Sequence, residues 1–520
     1  MRILQLASEA VPFAKTGGLG DVVGALSGQL AAAGHEVDIV LPYYRTIAAA
    51  DVADARAPVL RFSPSDLGTV EEGRLLSGPP LGDARTWFVD VPELYDRRGL
   101  YGVGSIDHPD NLRRFAAFVR AALLAMDHLE WAPDVVHCHD WQTGLAPAWL
   151  ADRAAGNAAT VPPDAAAPPT VFTIHNLAYQ GWFPATDRLK ADAAVGAGLR
   201  LPGAADLSLL RVGIEAADQV TTVSPTYAAE ILRPEFGCGL DEVLRDLDPP
   251  VRGILNGLDV EVWNPADDPY LPAGWTAADL SGKREARRAL AAEFGFDAPD
   301  GVPVFGMVSR LVDQKGLGLL SEVRSRFAAW TDARFVLLGT GEARYERLLE
   351  ELGEHAHVRA RIVFDERLAH LVEGGADFFL MPSAFEPCGL NQMISQRYGT
   401  IPIVHRTGGL ADSVIPVNEG TLAAGTATGI VFEHFDAAAL EWAIGEAMRL
   451  YADPPTCARL RTAGMRLDHS WEGRLPEYEA VYEAVCEAAC EAASEAAYEQ
   501  VRSRRRAENA VGPPDDEPFS

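Results

Sequence analysis

The sequence has no run of about twenty apolar residues, so it offers no candidate for a membrane-spanning helix. Its six cysteines include no Cys-x-x-Cys pair. That spacing supplies neither a structural zinc site nor a dithiol redox motif. Cys138, Cys238, Cys388, Cys457, Cys486 and Cys490 therefore read as reduced thiols of a cytoplasmic protein. No leader is expected, because a strand pattern begins at Arg2-Ile3. Basic residues are scarce: 45 Lys and Arg stand against 74 Asp and Glu, a formal net charge of -29. General nucleic-acid binding needs a basic face and is excluded. An anionic ligand must then be held by a few local cations working against the overall field. Two common phosphate motifs are also missing. There is no Gly-x-Gly-x-x-Gly, and no Walker loop with its Lys after the glycines.

What the chain does have is a glycine turn at Lys15-Thr16-Gly17-Gly18-Leu19-Gly20-Asp21. It follows a strand-like run, Ile3 to Ala7, and precedes a helix-like stretch, Val22 to Leu30. Glycines at such a junction let the backbone approach a ligand, and the N–H groups of the helix start favour an anion. The turn reads as a phosphate or diphosphate site with Lys15 as its charge, or as a strand-to-helix turn that is merely rich in glycine.

A chain of 520 residues is too long for one core, and two domains of roughly 200 to 250 residues are expected. Strands are read at Glu36 to Leu41, Arg85 to Val91, Asp134 to His137, Val171 to Ile174, Gln219 to Val223 and Val251 to Leu255. Asn111 to His128 has apolar residues at helical spacing. Ser224-Pro225 reads as an N-cap and first-turn proline. Strands alternating with helices predict parallel α/β sheets, whose ligands sit beyond the strand C-termini. His139-Asp140-Trp141, His175-Asn176 and the aromatic loop Tyr179 to Phe183 fall at such ends. Metal ligation by His137, His139 and Asp140 is read as less favoured than hydrogen bonding or packing, because no third cluster offers partners.

Ala151 to Pro169 reads as a surface insertion, and Trp263 to Pro272 as a linker, with the boundary near residue 262. The pattern then repeats. Strands at Val304 to Val308, Arg334 to Leu338, Phe378 to Met381 and Ile401 to Val404 lead into Ser309-Arg310-Leu311, Gly339-Thr340-Gly341, Pro382 to Gly389 and Thr407 to Asp412. Gly339-Thr340-Gly341 reads as opening a helix, and the last of these segments echoes the first glycine turn. The expected domains are 1–262, 263–475, an amphipathic helix at 476–506 with Tyr478, Tyr482 and Val485 on one face, and a disordered tail at 507–520. Arg504 to Arg506 read as a solvated helix end.

Taken together, several segments resemble the bacterial glycogen synthase and plant starch synthase family. They are Lys15 to Asp21, His139-Asp140-Trp141-Gln142-Thr143, His175 to Gly181, Val223-Ser224-Pro225-Thr226-Tyr227, Leu255-Asn256-Gly257, Ser309-Arg310-Leu311, Gln314-Lys315-Gly316, Pro382 to Leu390, and Arg406 to Asp412. They span about residues 1 to 475 in the family's order. The resemblance implies a GT-B fold, two Rossmann-like doubly wound domains facing across a deep cleft. It implies transfer of glucose from ADP-glucose to the non-reducing end of an α-1,4-glucan, with retention and without a metal or other cofactor. UDP-glucose or another acceptor is the alternative. It implies catalytic roles for His175, Arg310, Lys315, Glu386 and Asp140. Donor binding is implied for Lys15, Gly17, Gly18, Asn256, Cys388, Gly389, Leu390, Thr407, Gly408 and Gly409. The expected partners are these two substrates, with no nucleic acid and no membrane, and a homo-oligomer is left open. Two positions depart from the pattern: Ile394 stands where many retaining relatives carry a second Glu, and Arg211-Val212-Gly213 replaces a Lys-Gly-Gly run.

Overall fold

The computed structural model describes residues 1–49, 58–63, 67, 72–104, 106–155, 167–184, 186 and 206–510, with side chains described up to residue 495. The first half builds a nine-stranded sheet. Its strands are β1 (Arg2–Leu6), β2 (Glu36–Pro42), β3 (Pro58–Phe62), β4 (Gly73–Ser77), β5 (Arg85–Asp90), β6 (Val135–His139), β7 (Thr170–Ile174), β8 (Gln219–Thr222) and β9 (Arg252–Gly253). Their order is β9-β8-β7-β6-β1-β2-β5-β4-β3, parallel except where β4 runs against its two neighbours. Every residue of β6 and β7 is buried, as a parallel sheet covered on both faces requires.

The second half builds a six-stranded, wholly parallel sheet: β10 (Val304–Val308), β11 (Arg334–Leu338), β12 (Val358–Arg361), β13 (Phe378–Met381), β14 (Ile401–His405) and β15 (Ile430–Phe432). Their order is β12-β11-β10-β13-β14-β15. The chain reverses its direction of travel between β10 and β13 here, and between β1 and β6 in the first sheet. Such a reversal opens a crevice beyond the strand C-termini, because the flanking connections leave in opposite directions.

Several segments differ from the reading of the sequence. Trp263 to Pro272 is not a loose linker. Trp263 stacks on His370 with ring centroids 3.9 Å apart, and buried Asp268 accepts hydrogen bonds from His370 Nδ1 (2.8 Å) and Tyr398 Oη (2.6 Å). The stretch packs against the second domain, and its prolines and aspartates are turn residues of a folded surface. The first residues of the supposed insertion, Ala151 to Ala154, finish a helix (Leu145–Ala154), and 156–166 lie outside the described residues. Gly339-Thr340-Gly341 does not open a helix: Leu311 pairs with Gly341, and the helix starts at Ala343.

Five helices bear on the cleft and its supports. α1 (Gly18–Ala32) starts four residues earlier than its apolar pattern, at the second glycine. α2 (Asn111–His128) has the predicted bounds. α3 (Pro225–Glu230) is capped by Ser224, whose Oγ accepts from the Tyr227 N–H at 3.2 Å. α4 (Gly408–Ser413) lies against it across the domain boundary. The C-terminal helix, α5 (Leu475–Ala510), crosses back to the first domain. Its Leu475, Tyr478, Val481, Tyr482 and Val485 join that domain's core. The helix runs past the expected end at 506; the rest of the expected tail, 511–520, and the Arg504 to Arg506 side chains lie outside what is described.

Candidate active site

Both crevices open onto one cavity of about 870 Å³ between the domains. It is large enough to bury most of a drug-sized ligand. The first domain contributes the Lys15 turn after β1, Asp140, Trp141 and Gln142 after β6, and His175 to Gly181 after β7. The second contributes Ser309, Arg310, Gln314 and Lys315 after β10 and Ser383 to Asn391 after β13. Among the expected residues, Lys15, Gly17, Gly18, Asp140, His175, Asn256, Arg310, Lys315, Glu386, Cys388, Gly389 and Leu390 all line this cavity.

The charged groups are already paired. Lys315 Nζ lies 2.8 and 2.6 Å from the two carboxylate oxygens of Glu386, and Ser383 Oγ donates to one of them at 2.9 Å. Both side chains are largely buried, so the pair fixes its members in one geometry. Arg310 Nη1 reaches across the cleft to Tyr179 Oη (3.3 Å), and its guanidinium lies 5.9 Å from that ring's centre. Arg310 and Lys315 thus project from one strand end of the second domain, with His175 and Asp140 opposite them.

Lys15 is not the free charge that its position suggested. It pairs with Asp21 at 2.7 Å. Two amides of the turn, those of Thr16 and Gly17, are also engaged, because Glu9 turns its carboxylate into it. Glu9 accepts from the Thr16 N–H, from Thr16 Oγ1 (2.6 Å), from Tyr101 Oη (2.5 Å) and from the Gly17 N–H (3.4 Å). The space above the two glycines remains open. A Cβ at Gly17 would meet nothing within 4 Å, and one at Gly18 only Leu390 Cδ1 at 4.0 Å. These glycines keep side-chain bulk out of the cleft.

The second glycine turn is a correction. Thr407, Gly408 and Gly409 do not line the cavity. Glu230, at the end of α3, accepts from Thr407 Oγ1 (3.1 Å) and from the Gly408 N–H (3.1 Å). The Gly409 N–H donates to the carbonyls of Glu386 (3.1 Å) and Pro387 (3.2 Å). Asp412 reciprocates toward α3, accepting from the N–H (2.8 Å) and hydroxyl (2.6 Å) of Thr226. Each of two short helices from different domains thus has one N-terminal N–H satisfied by a carboxylate of the other, and the Gly409 N–H is spent on carbonyls, so both glycine amides of this turn are occupied within the protein.

The buried polar groups have legible states. Asp140 accepts from the His175 N–H at 2.7 Å, and burial pushes its carboxyl up to about 7 despite that bond. Burial holds His175 and His137 down near about 3, and His139 well below its usual value, so all three are neutral at physiological pH. His137 and His139 spend both ring nitrogens on hydrogen bonds within the protein. Asn256 Oδ1 and Gln142 Oε1 are buried against the cavity without a partner among the described residues.

Glu9, Gln142 and Phe364 lie beyond what the sequence reading assigns to the site. Glu9 carries no motif signal beyond its place before the glycine turn. Phe364 follows β12, lines the cavity and is 84% exposed. An aromatic residue directly after a strand pattern, beside an Asp N-cap, is the available clue.

Two family models match the chain: one described as the starch synthase catalytic domain over residues 2–246, and one described as glycosyl transferases group 1 over residues 291–466. The chain is 43% identical over 488 residues to glycogen synthase 1 of Methylococcus capsulatus, covering 92% of this chain and 95% of that one. It is 44% identical over 492 residues to the glycogen synthase of Myxococcus xanthus, covering 92% and 98%. Among solved structures, the catalytic domain of starch synthase IV from Arabidopsis thaliana, bound to ADP and acarbose, superposes with a TM-score of 0.80 at 32% identity, covering 93% and 99%. Sucrose-phosphate synthase from Thermosynechococcus elongatus, at TM-score 0.57 and 19% identity, shares the fold.

Proposed function

From the premise that the chain belongs to the glycogen and starch synthase family of glycosyltransferases, and has its GT-B fold and glycogen synthase activity, we propose that the cleft transfers glucose from ADP-glucose to the non-reducing end of an α-1,4-glucan. The observation that carries this reading is the convergence of Arg310, Lys315 and the Lys315–Glu386 pair at one strand-end crevice, facing neutral His175. The starch synthase IV structure holds ADP and acarbose, a nucleoside diphosphate and a sugar chain, which are the two chemistries this cleft is suited to.

The diphosphate rests between Arg310 and Lys315. Arg310 offers a fork of donors to an oxygen pair, and Lys315 a point charge. Negative charge grows on the leaving phosphate as the glycosidic bond breaks, so cations already in place there stabilise the transition state more than the ground state. Glu386 holds Lys315 at its position and accepts from hydroxyls of the donor glucose. Asn256 Oδ1 and Gln142 Oε1, without a partner among the described residues, are acceptors, as a ligand rich in hydroxyl groups requires. Asp140 anchors the His175 backbone, which fixes that ring beside the transferred sugar. Exposed Phe364 at the cavity rim offers a flat face to the nucleobase.

The test compares labelled glucose from ADP-glucose and from UDP-glucose on a glycogen primer. Incorporation from ADP-glucose at a clear excess is expected. Incorporation from UDP-glucose alone would reject the donor assignment and leave the family standing.

A further inference from the structure

A chain of buried hydrogen bonds leads away from His175 to the far end of the sequence. His175 Nε2 lies 3.0 Å from His139 Nδ1, and His139 Nε2 lies 2.7 Å from Gln5 Oε1. Gln5 Nε2 donates to Tyr482 Oη at 3.4 Å. Tyr482 Oη is in turn 2.8 Å from His137 Nδ1, and His137 Nε2 is 2.6 Å from Thr173 Oγ1. Gln5, His137, His139 and Tyr482 are completely buried. They come from β1, β6 and α5, and the strand register sets Gln5 beside His137 and His139 beside Thr173.

A neutral imidazole has one N–H and one bare nitrogen, so each bond in such a chain fixes the next. The Gln5 amide turns its NH₂ toward Tyr482 Oη, so the tyrosine oxygen accepts that bond and its hydroxyl proton is free for His137 Nδ1. That leaves Gln5 Oε1 to accept from His139 Nε2–H. His139 Nδ1 is therefore bare and accepts from His175 Nε2–H. His175 Nδ1, which has no hydrogen-bond partner among the described residues, carries no proton. Turning the Gln5 amide over would reverse every bond and put that proton on.

We propose that Gln5, oriented by Tyr482 of the C-terminal helix, acts through His139 as a positioning residue that sets the tautomer of His175, so that His175 presents a bare Nδ1 to the cleft as an acceptor for a hydroxyl of the transferred glucose. The inference rests on the reading that His175 touches that sugar. It also gives the C-terminal helix a task in the site, since α5 is the element that brings Tyr482 beneath β1 and β6. Neutrality of all three rings, which burial maintains, keeps the relay from being scrambled by protonation.

The test is a double-mutant cycle. Gln5→Met removes both amide bonds at similar volume, and Tyr482→Phe removes one oxygen, so a folded variant is available even if the first packs badly. Each is made in the wild type and in His175→Ala. Each should lower kcat roughly tenfold with little change in donor KM or Tm, in line with lost outer-shell support of a reacting group. The loss should vanish in the His175→Ala background, because both changes act through that ring. Nitrogen NMR of histidine-labelled protein should show His175 Nδ1 unprotonated in the wild type and partly protonated in Tyr482→Phe. Full kcat in both variants, losses that multiply with His175→Ala, or a protonated Nδ1 in the wild type would overturn the relay. Wild-type turnover in His175→Ala itself would instead overturn the reading on which it rests.

Discussion

The two glycine turns, Lys15 to Asp21 and Thr407 to Asp412, share a Thr-Gly-Gly-Leu core followed by an acid, and both follow a strand. Their surroundings differ. The first lines the cleft, with open space where Gly17 and Gly18 lack side chains. The second is packed solid: Gly408 has φ +42°, and a Cβ there would lie 1.9 Å from the Glu386 carbonyl oxygen. One turn uses glycine to leave room for a ligand. The other uses it to bring two strand ends together, and so holds the main chain of Glu386 in place. In both, a carboxylate of the protein occupies the N–H of one glycine that sequence logic assigns to phosphate: Glu9 takes Gly17 in the first, and Glu230 from the other domain takes Gly408 in the second.

The sharpest test of that contrast is Glu386 itself, the residue the second turn positions. Glu386→Ala is expected to lower kcat by about 10²–10³, the scale of losing a preplaced polar group at a reacting centre. Near-normal turnover in steady-state assays would refute its role. Gly408→Ala comes next. The left-handed backbone and the clash should cost about 1–3 kcal/mol of stability in denaturant unfolding and lower kcat as Glu386 shifts. Gly17→Ala should do the reverse, leaving stability within about 0.5 kcal/mol while raising donor KM. Equal stability losses in the two variants would erase the distinction. Phe364→Ala should raise donor KM with kcat little changed, because base stacking is made equally in ground and transition states. A fall in kcat alone would place Phe364 elsewhere in the cycle.

A separate expected effect is on stability against pH. His137, His139 and His175 stay neutral in the fold, whereas the unfolded chain takes up protons below about 6.5. Their contribution is present above that pH and is lost as pH falls toward about 3. Asp140 acts in the opposite sense. Its carboxyl keeps a proton up to about 7 that the unfolded chain loses near 3.8, so its contribution is lost as pH rises through that window. Asp140→Asn should therefore be more stable relative to wild type at pH 8 than at pH 5 in thermal scans. An unchanged difference would show that Asp140 is not held protonated.

The fold is readable because parallel strands buried on both faces leave dense apolar runs: Val304–Val308, Arg334–Leu338 and Phe378–Met381 have the expected bounds. The site is readable where motifs end strands, as at Asp140, His175, Arg310 and Glu386. What sequence does not show is partnership between distant segments. Lys315 and Glu386 are 71 residues apart and Gln5 and Tyr482 477 apart, and no local pattern announces either bond. The same limit makes Lys15 look free and the Gly408 amide look available. The Trp263 to Pro272 stretch reads as a linker because turn residues look alike whether they pack or not.

The proposed function centres on cations of the second domain, Arg310 and Lys315, acting on a departing diphosphate. The direct measurement is the steady-state split of kcat and donor KM for Lys315→Ala with ADP-glucose and glycogen. The expected result is a kcat loss of about 10² or more with donor KM changed only a few fold, because the charge is needed most in the transition state. A raised KM with wild-type kcat would contradict it.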